Sequence, residues 1–325
     1  MRIGCVITAK NEEDMITQNI HYHRFLGVTD FFVFLDHSTD RTKNLLRDIP
    51  DLHIFENPAY AELLPYNLNK PELDLDLIRR QFPEHNGVRQ VLHANMALEL
   101  CRVERIDWLI NLDPDELICL NTDRVEKDSL KDFFASLDKN VGAVIFRNVE
   151  VLPTRMEPHY VFEDRLFKKE QPDENMTGMP KTELFNPYTG ARIPAGWFWG
   201  HTSGKLAARV LPDSYFALLT HLFHTPGEIK SVDYLLHYNI LSYRQFLNKY
   251  RNFQDFPKFT SLGRPVRPLR TLLVELVNDG HFADDYLADY YRKHILYSSE
   301  EIEIIRKEHP SALIEINSVS NFFGS

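Results

Sequence analysis

The sequence predicts an α/β protein with a doubly wound, mostly parallel sheet, helices on both faces and a helical C-terminal extension. Two patterns lead to this expectation. Short apolar runs of strand length alternate with stretches of helical spacing through the first half of the chain. Polar clusters directly follow three of these runs, and in parallel sheets the ligand lies outside the carboxyl ends of the strands.

The apolar runs of the first half predict strands over residues 3–8, 31–35, 52–55, 108–112 and 141–152. Apolar residues at helical spacing predict helices over residues 15–26, 41–46 and 88–102. Asn11 is expected to cap the first of these helices and Asp40 the second, because both side chains accept hydrogen bonds from helix amides.

The second half of the chain is less regular. Strands are predicted over residues 205–211, 216–222 and 234–238, and helices over residues 242–250 and from 269 onwards. Residues 57–87 carry four prolines and an acidic patch, so this segment is predicted as an irregular insertion that covers a site.

Composition excludes several classes of protein. The 325 residues contain 37 Lys and Arg against 47 Asp and Glu, and a net charge of −10 argues against nucleic acid as the main partner. No apolar run approaches the roughly 18–20 residues of a transmembrane helix, and the N-terminus does not have the pattern of a secretory signal. Three widely spaced cysteines form neither a disulfide framework nor a zinc motif. We therefore expect a cytoplasmic protein without a transmembrane segment.

Asp113-Pro114-Asp115-Glu116 follows the apolar run 108–112. Pro114 favours an extended conformation at Asp113, and residues two apart in an extended segment point to the same side. Asp113 and Asp115 are therefore predicted to hold one divalent cation whose remaining positions are open to phosphates. The alternative is a solvated acidic turn.

Asp36 follows the apolar run 31–35. A carboxylate at the end of a buried strand needs partners, so Asp36 is predicted to accept a hydrogen bond from a nucleobase or a ribose. For Asp40, four residues later, helix capping is the favoured interpretation.

Three motifs, taken in order, resemble those of GT-A-fold glycosyltransferases of the family 2-like and family 92-like group. They are Thr8-Ala9-Lys10-Asn11-Glu12-Glu13, Leu35-Asp36-His37-Ser38-Thr39-Asp40-Arg41-Thr42 and Asp113-Pro114-Asp115-Glu116. Arg89-Gln90 is similar to the helix that precedes the D-x-D in these families, and Leu236-His237-Tyr238 is similar to their late H-Y segment. The chain departs from family 2 at His37, where many members have Asp-Gly, and in its long 57–87 insertion.

The resemblance implies a GT-A-like domain over residues 1–250, with a nucleotide-binding half (1–120), an acceptor half (121–250) and a helical extension (251–325). It implies a metal-dependent, hexosyltransferase-like enzyme that uses a nucleotide-sugar donor. The acceptor is a glycan, a lipid-linked molecule or a protein. By resemblance, Mn²⁺ or Mg²⁺ bridges the pyrophosphate, and the residues that bind the nucleotide are Ala9, Asn11, Glu12, Asp36, Arg89 and Asp113.

The resemblance also implies a late histidine as a further metal ligand beside Asp113 and Asp115. His237 is the first choice, and His221 and His224 are the alternatives. An inverting enzyme needs a carboxylate base near the acceptor hydroxyl, for which the sequence offers Glu183, Asp213 and Asp233 without choosing among them.

Two motifs of the second half are compatible with more than one role. Gly200 to Leu206 does not have P-loop spacing, although Lys205 or Arg209 is expected to contact donor phosphates. Trp197-Phe198-Trp199 is either a sugar platform or part of the core.

Other function classes are also compatible with these residues. The D-x-D pair is compatible with a phosphohydrolase, but such enzymes usually place it after the first strand. A nucleotidyltransferase would have a Gly-rich loop after that strand, where this chain has Lys10-Asn11-Glu12. A non-catalytic nucleotide-binding protein is the remaining alternative.

Overall fold

The computed structural model describes residues 1–171, 178–217, 222–254, 257, 259 and 265–324. Its strands, β1 to β14 along the described chain, are Ile3–Ala9, Asp30–Leu35, Leu52–Glu56, Trp108–Leu112, Glu116–Ile118, Val141–Val151, Leu166–Lys168, Glu183–Phe185, Arg192–Pro194, Lys205–Arg209, Tyr215–Phe216, Phe223–His224, Glu228–His237 and Leu313–Glu315. Its helices, α1 to α11, are Ile16–Phe25, Thr42–Leu46, Tyr60–Leu63, Leu75–Gln81, Asn86–Glu104, Ser129–Ala135, Tyr243–Asn252, Pro268–Asn278, Asp284–His294, Ser299–Glu308 and Ser318–Phe323.

The chain divides into two compact units. The first comprises Met1–Leu120, Val125–Arg147 and Ser203–Leu235. The second comprises Asn121–Arg124, Asn148–Thr202 and Leu236–Ser325.

The first unit is built on a sheet in the order β3-β2-β1-β4-β10-β6. The pairs β3–β2, β2–β1 and β1–β4 are parallel, whereas β10 is antiparallel to both β4 and β6. The five predicted strands of the first half are all present. Because β10 comes from far along the chain and inserts between β4 and β6, the parallel part of the sheet ends at β4.

Helices cover both faces of this sheet, which confirms the predicted α/β fold class. Phe32 and Phe34 share a buried cluster with α5, while the neighbouring Phe31 lies under the guanidinium of Arg24 from α1. Since side chains alternate across a strand, α5 and α1 lie on opposite faces. This burial on both faces is why β2 is continuously apolar from Phe31 to Leu35.

The 57–87 segment is more regular than predicted. It contains α3, α4 and a short 3₁₀ helix over Leu64–Tyr66, so the irregular insertion predicted from its prolines is wrong. Asp74 caps α4 by accepting the N–H of Leu77 at 2.9 Å. Leu63 and Ile78 are buried in the cluster around α5, and this packing stabilises helices that are too short to form alone.

The cap predicted at Asn11 is also absent, because α1 begins only at Ile16. Asp40 is not the N-cap of α2, which is Arg41, but it still accepts a hydrogen bond from the first turn of that helix. Its Oδ1 accepts the N–H of Thr42, the first residue of α2, at 3.0 Å.

The second unit contains α7 to α11 and short strands. β7 pairs antiparallel with the end of β6 at Glu150–Val151 and with β14, and β8 pairs with β9. Leu272 and Leu276 of α8 and Tyr290 of α9 share one buried cluster with residues of α7. In the described part of the chain, no helix is both long enough and apolar enough to cross a bilayer.

Candidate functional site

Three strands of the first unit end at one edge of its sheet. In the parallel register Ala9 lies beside Leu35, and Ile7 lies beside Leu112. The polar residues that follow β1, β2 and β4 therefore meet at this edge, as predicted. The predicted nucleotide-binding residues Ala9, Asn11, Glu12, Asp36, Arg89 and Asp113 all belong to this unit.

The loops after β1 and β2 are joined by hydrogen bonds. Asn11 adopts a left-handed conformation (φ 57°), and its Oδ1 accepts the N–H of Thr39 at 2.7 Å. Its own N–H donates to Ser38 Oγ at 3.1 Å, and the N–H of Glu12 donates to Thr42 Oγ1 at 2.8 Å. Through these bonds Asn11 and Glu12 have a structural role, because they fix the conformation of the two loops at this edge of the sheet.

Asp36 lies in a buried ion pair with Arg89 of α5. Arg89 Nε donates to Asp36 Oδ1 at 2.8 Å and Arg89 Nη2 donates to Asp36 Oδ2 at 2.9 Å, so the contact is bidentate. Burial alone would raise the pKa of Asp36, but the Arg89 guanidinium outweighs it and holds the pKa below its ordinary value. Asp36 is only 3% exposed, so a bound donor would contact mainly the residues around this carboxylate.

His37 is the exposed neighbour of this pair. Its side chain is 67% exposed, and its Nδ1 lies 3.0 Å from Asp36 Oδ1. The backbone is held in the left-handed region (φ 60°), and its N–H donates to Asn57 Oδ1 at 2.6 Å. Asp36 thus orients the imidazole and Asn57 fixes the backbone, while the ring remains open to solvent.

His93 lies beneath this corner on the inner side of α5. Its ring stacks on Phe34 with centroids 4.3 Å apart, and its Nδ1 lies 3.0 Å from Thr8 Oγ1. The buried Nε2 has no hydrogen-bond partner among the described residues. Burial lowers the pKa of His93 to about 3, so the folded protein holds this imidazole neutral.

This buried imidazole makes stability depend on pH. Below about pH 6.5 the imidazole of His93 binds a proton in the unfolded chain but stays neutral in the folded protein. The free energy of unfolding therefore falls as the pH falls towards 4. In His93→Phe, which keeps a ring against Phe34, the fall between pH 7 and pH 4 should be smaller by about 3 kcal/mol. Urea unfolding at several pH values measures the difference, and parallel pH profiles for the two proteins would contradict it.

Residues 113–116 form a turn, not the predicted extended segment. The N–H of Glu116 donates to the carbonyl of Asp113 at 3.1 Å, and Glu116 Oε2 accepts the N–H of Asp113 at 2.8 Å. Asp followed by Pro is favoured at the first two positions of a β-turn, and this preference prevails over the extended bias that Pro114 gives Asp113.

Helix α1 fixes this turn from the opposite face of the sheet. The buried Asn19 donates from Nδ2 to the carbonyls of Pro114 at 3.0 Å and Glu116 at 2.8 Å. His23 Nε2 accepts the N–H of Ile118 at 3.2 Å, and burial lowers the pKa of His23 to about 4, which keeps this acceptor unprotonated. The turn is therefore held rigidly on a helix and on two strands.

Asp113 is held by two side chains that the sequence did not assign to it. Gln90 Nε2 donates to Asp113 Oδ1 at 3.2 Å, and Lys205 Nζ lies 2.6 Å from Asp113 Oδ2. Lys205 Nζ also lies 3.3 Å from Glu116 Oε2. Burial would lower the pKa of Lys205, but the charges of Asp113 and Glu116 outweigh it and raise that pKa.

The donor atoms at this turn fit a hard divalent cation. Asp113 and Asp115 are both partly exposed, and carboxylate oxygens are the ligands that Mg²⁺ and Mn²⁺ prefer. Each oxygen of Asp113 accepts one hydrogen bond and still has a lone pair for a metal or a water.

The predicted late histidine is placed in the second unit. His237 ends β13 and is buried, with its ring centroid 4.9 Å from that of His201 and its Nδ1 3.5 Å from Asn148 Nδ2. The metal role of His237 remains a prediction. His221 lies outside the described residues, and His224 pairs instead with Glu72 at 3.4 Å in the first unit.

The second unit holds its own buried ion pair, Glu150 with Lys168. Glu150 also accepts the N–H groups of Trp199 at 3.0 Å and Gly200 at 2.5 Å. Trp197 and Phe198 are buried in a cluster with Tyr297, which assigns both rings to the core. No sugar platform forms from these two side chains.

Of the three alternative base candidates, Asp213 and Asp233 belong to the first unit and Glu183 belongs to the second. Asp213 follows β10, which runs antiparallel to β4 from Lys205 at the site edge, so Asp213 lies at the opposite edge of the sheet. Asp233 is bound by Arg147 in a bidentate pair at 2.7 Å, and Glu183 is an exposed residue of β8 in the second unit. Arg209 also lies at that opposite edge, where it donates to the Val141 carbonyl at 2.7 Å.

The profile of glycosyltransferase family 92 matches residues 3–264. A glycosyltransferase-like protein of Arabidopsis thaliana is 26% identical over 233 residues, which are 67% of this chain and 49% of that protein. A second one is 23% identical over 296 residues, which are 88% of this chain and 56% of that protein.

The chain therefore spans about half the length of these two relatives. Among solved structures, S. aureus TarS residues 1–349 in complex with UDP-GlcNAc has a TM-score of 0.37 and 14% identity, with 95% of this chain and 79% of that chain covered. The similarity is too low to assign a role to any residue.

Proposed function

This chain belongs to glycosyltransferase family 92, and on that premise we propose that it transfers a sugar from a nucleotide-sugar donor to an acceptor hydroxyl with the help of a divalent cation. The observation that carries the proposal is the convergence of two strand-end carboxylates at one sheet edge. Helix α5 holds both of them, Asp36 through Arg89 and Asp113 through Gln90.

In this proposal the two carboxylates serve different parts of the donor. The Asp36 corner, with His37 in front of it, receives the nucleobase. Asp113 receives the ribose and supports the metal, and Asp115 is the principal metal ligand. This division fits the geometry, since Asp36 is buried in its ion pair whereas Asp113 and Asp115 are partly exposed.

Mn²⁺ or Mg²⁺, when bound, would supply positive charge that offsets the charge developing on the leaving nucleoside diphosphate. The protein's own part is to keep the carboxylates in place before the donor arrives. The turn at Asp113, closed by Glu116 and clamped by Asn19, supports that task because a preorganised site needs no rearrangement during the reaction.

His37 gives the proposal a specific test on the nucleobase. His37→Ala should weaken the affinity for the preferred nucleoside diphosphate by about tenfold, because an ordered imidazole at the mouth of the pocket is lost. Affinity for inorganic pyrophosphate with Mn²⁺ should stay within about twofold, since pyrophosphate has no base. Calorimetry measures both, and equal losses for the two ligands would remove His37 from the base pocket.

Sugar transfer is tested with a panel of labelled nucleotide sugars incubated with Mn²⁺ and mixed acceptors that include glycans, lipid-linked molecules and proteins. We expect one donor to be consumed with release of its nucleoside diphosphate, and chelation to stop the reaction. Release of inorganic phosphate from phosphate esters without sugar transfer would favour the phosphohydrolase. Nucleotide binding without any turnover would favour a non-catalytic binding protein.

A further inference from the structure

Lys205 is a buried ammonium beside the predicted metal-binding turn. It is the first residue of β10, it is 2% exposed, and its Nζ lies between Asp113 Oδ2 at 2.6 Å and Glu116 Oε2 at 3.3 Å. The ammonium of Lys205 therefore already has carboxylates of its own chain as its nearest partners when a phosphate of the donor approaches. The direct phosphate contact expected from the sequence is therefore not the role that this geometry supports.

The charges at the turn suggest another role. Asp113, Asp115 and Glu116 bring three carboxylates to the turn, and the ammonium of Lys205 offsets part of their negative charge. Before any metal binds, the ammonium of Lys205 already neutralises part of the negative charge of these carboxylates. Repulsion among the carboxylates is therefore reduced in the metal-free protein.

We propose that Lys205 is a positioning residue that acts as a built-in counter-cation of the Asp113–Glu116 turn. It holds Asp113 in place without metal, and its positive charge weakens the binding of a divalent cation until the donor's diphosphate adds negative charge. Metal and donor then bind as a coupled pair. This inference rests on the proposed function.

The test compares Mn²⁺ binding to metal-free, nucleotide-free wild type and Lys205→Met. Removing the ammonium should tighten Mn²⁺ binding by about tenfold or more, because the three carboxylates then lose a positive charge that opposes the incoming cation. Arg209→Met is the matched control: it removes a positive charge from the same strand at the opposite edge, and its Mn²⁺ affinity should equal that of wild type. Damage to the fold would weaken Mn²⁺ binding, so a gain separates the two explanations.

Lys205→Met leaves Asp113 and Glu116 without their cation, and it can fail to fold in chelator. In that case Mn²⁺ should restore a cooperative unfolding transition, since the divalent ion replaces the missing charge. Absence of that rescue would overturn the inference. A folded Lys205→Met protein with unchanged or weaker Mn²⁺ affinity would overturn it as well.

The failure of this inference can be told apart from failure of the proposed function. If wild type binds Mn²⁺ no better with any nucleoside diphosphate than without it, the metal-dependent function itself is wrong. If wild type shows this coupling but Lys205→Met does not bind free Mn²⁺ more tightly, only the role of Lys205 is wrong.

Discussion

Asp115→Asn is expected to reduce metal-dependent sugar transfer by about a thousandfold or more, because the variant loses the charged oxygen of the proposed principal metal ligand. Asp115 is partly exposed and its charge lies in the field of Lys205, so the stability should change by no more than about 0.5 kcal/mol. Initial rates at saturating donor and thermal unfolding in chelator measure the two effects.

The matched control for this variant is Asp48→Asn, which removes a carboxylate from an exposed position in the same unit. It should retain wild-type turnover and wild-type Mn²⁺ dependence. If Asp115→Asn keeps more than about a tenth of the wild-type rate with Mn²⁺ present, Asp115 does not hold the cation.

The second large effect is expected at Arg89. Arg89→Met leaves the buried carboxylate of Asp36 without its bidentate partner, which should lower the free energy of unfolding by about 3–5 kcal/mol. Nucleoside diphosphate affinity should fall as well, because Asp36 no longer holds His37 in place. Urea denaturation and calorimetry measure the two losses.

A double variant separates folding from binding at this pair. Arg89→Met combined with Asp36→Asn removes both charges, so it should recover much of the lost stability, while nucleotide affinity should remain weak. A single Arg89→Met protein as stable as wild type would show that the Asp36 ion pair does not stabilise this corner of the fold.

Local sequence patterns were sufficient to predict the central strands of the sheet. β1, β2 and β4 are covered on both faces, so most of their residues are apolar and their bounds agree with prediction to within one residue. Each is followed at once by polar residues, and a parallel register is enough to bring Asn11, Asp36 and Asp113 to one edge.

Contacts between distant segments were not predictable in this way. Lys205 reaches Asp113 only because β10 inserts antiparallel beside β4, and nothing near Lys205 in the sequence encodes that pairing. At Asp113 the sequence favoured the extended segment over the alternative of a turn for a local reason, since the Asp-Pro pair favours an extended residue and a β-turn alike. The helices of the 57–87 segment depend on packing against α5, which outweighs the effect of the prolines.

The measurement that tests the account most directly is the affinity of wild type for UDP, GDP, CDP and ADP with Mn²⁺ and with chelator. We predict that one nucleotide binds at least about tenfold more tightly with Mn²⁺, since the proposed function places metal and diphosphate together at the Asp113–Glu116 turn. In Asp115→Asn this gain should disappear. If Mn²⁺ leaves the affinity of wild type for all four nucleotides unchanged, a metal-dependent nucleotide-sugar site at this sheet edge is contradicted.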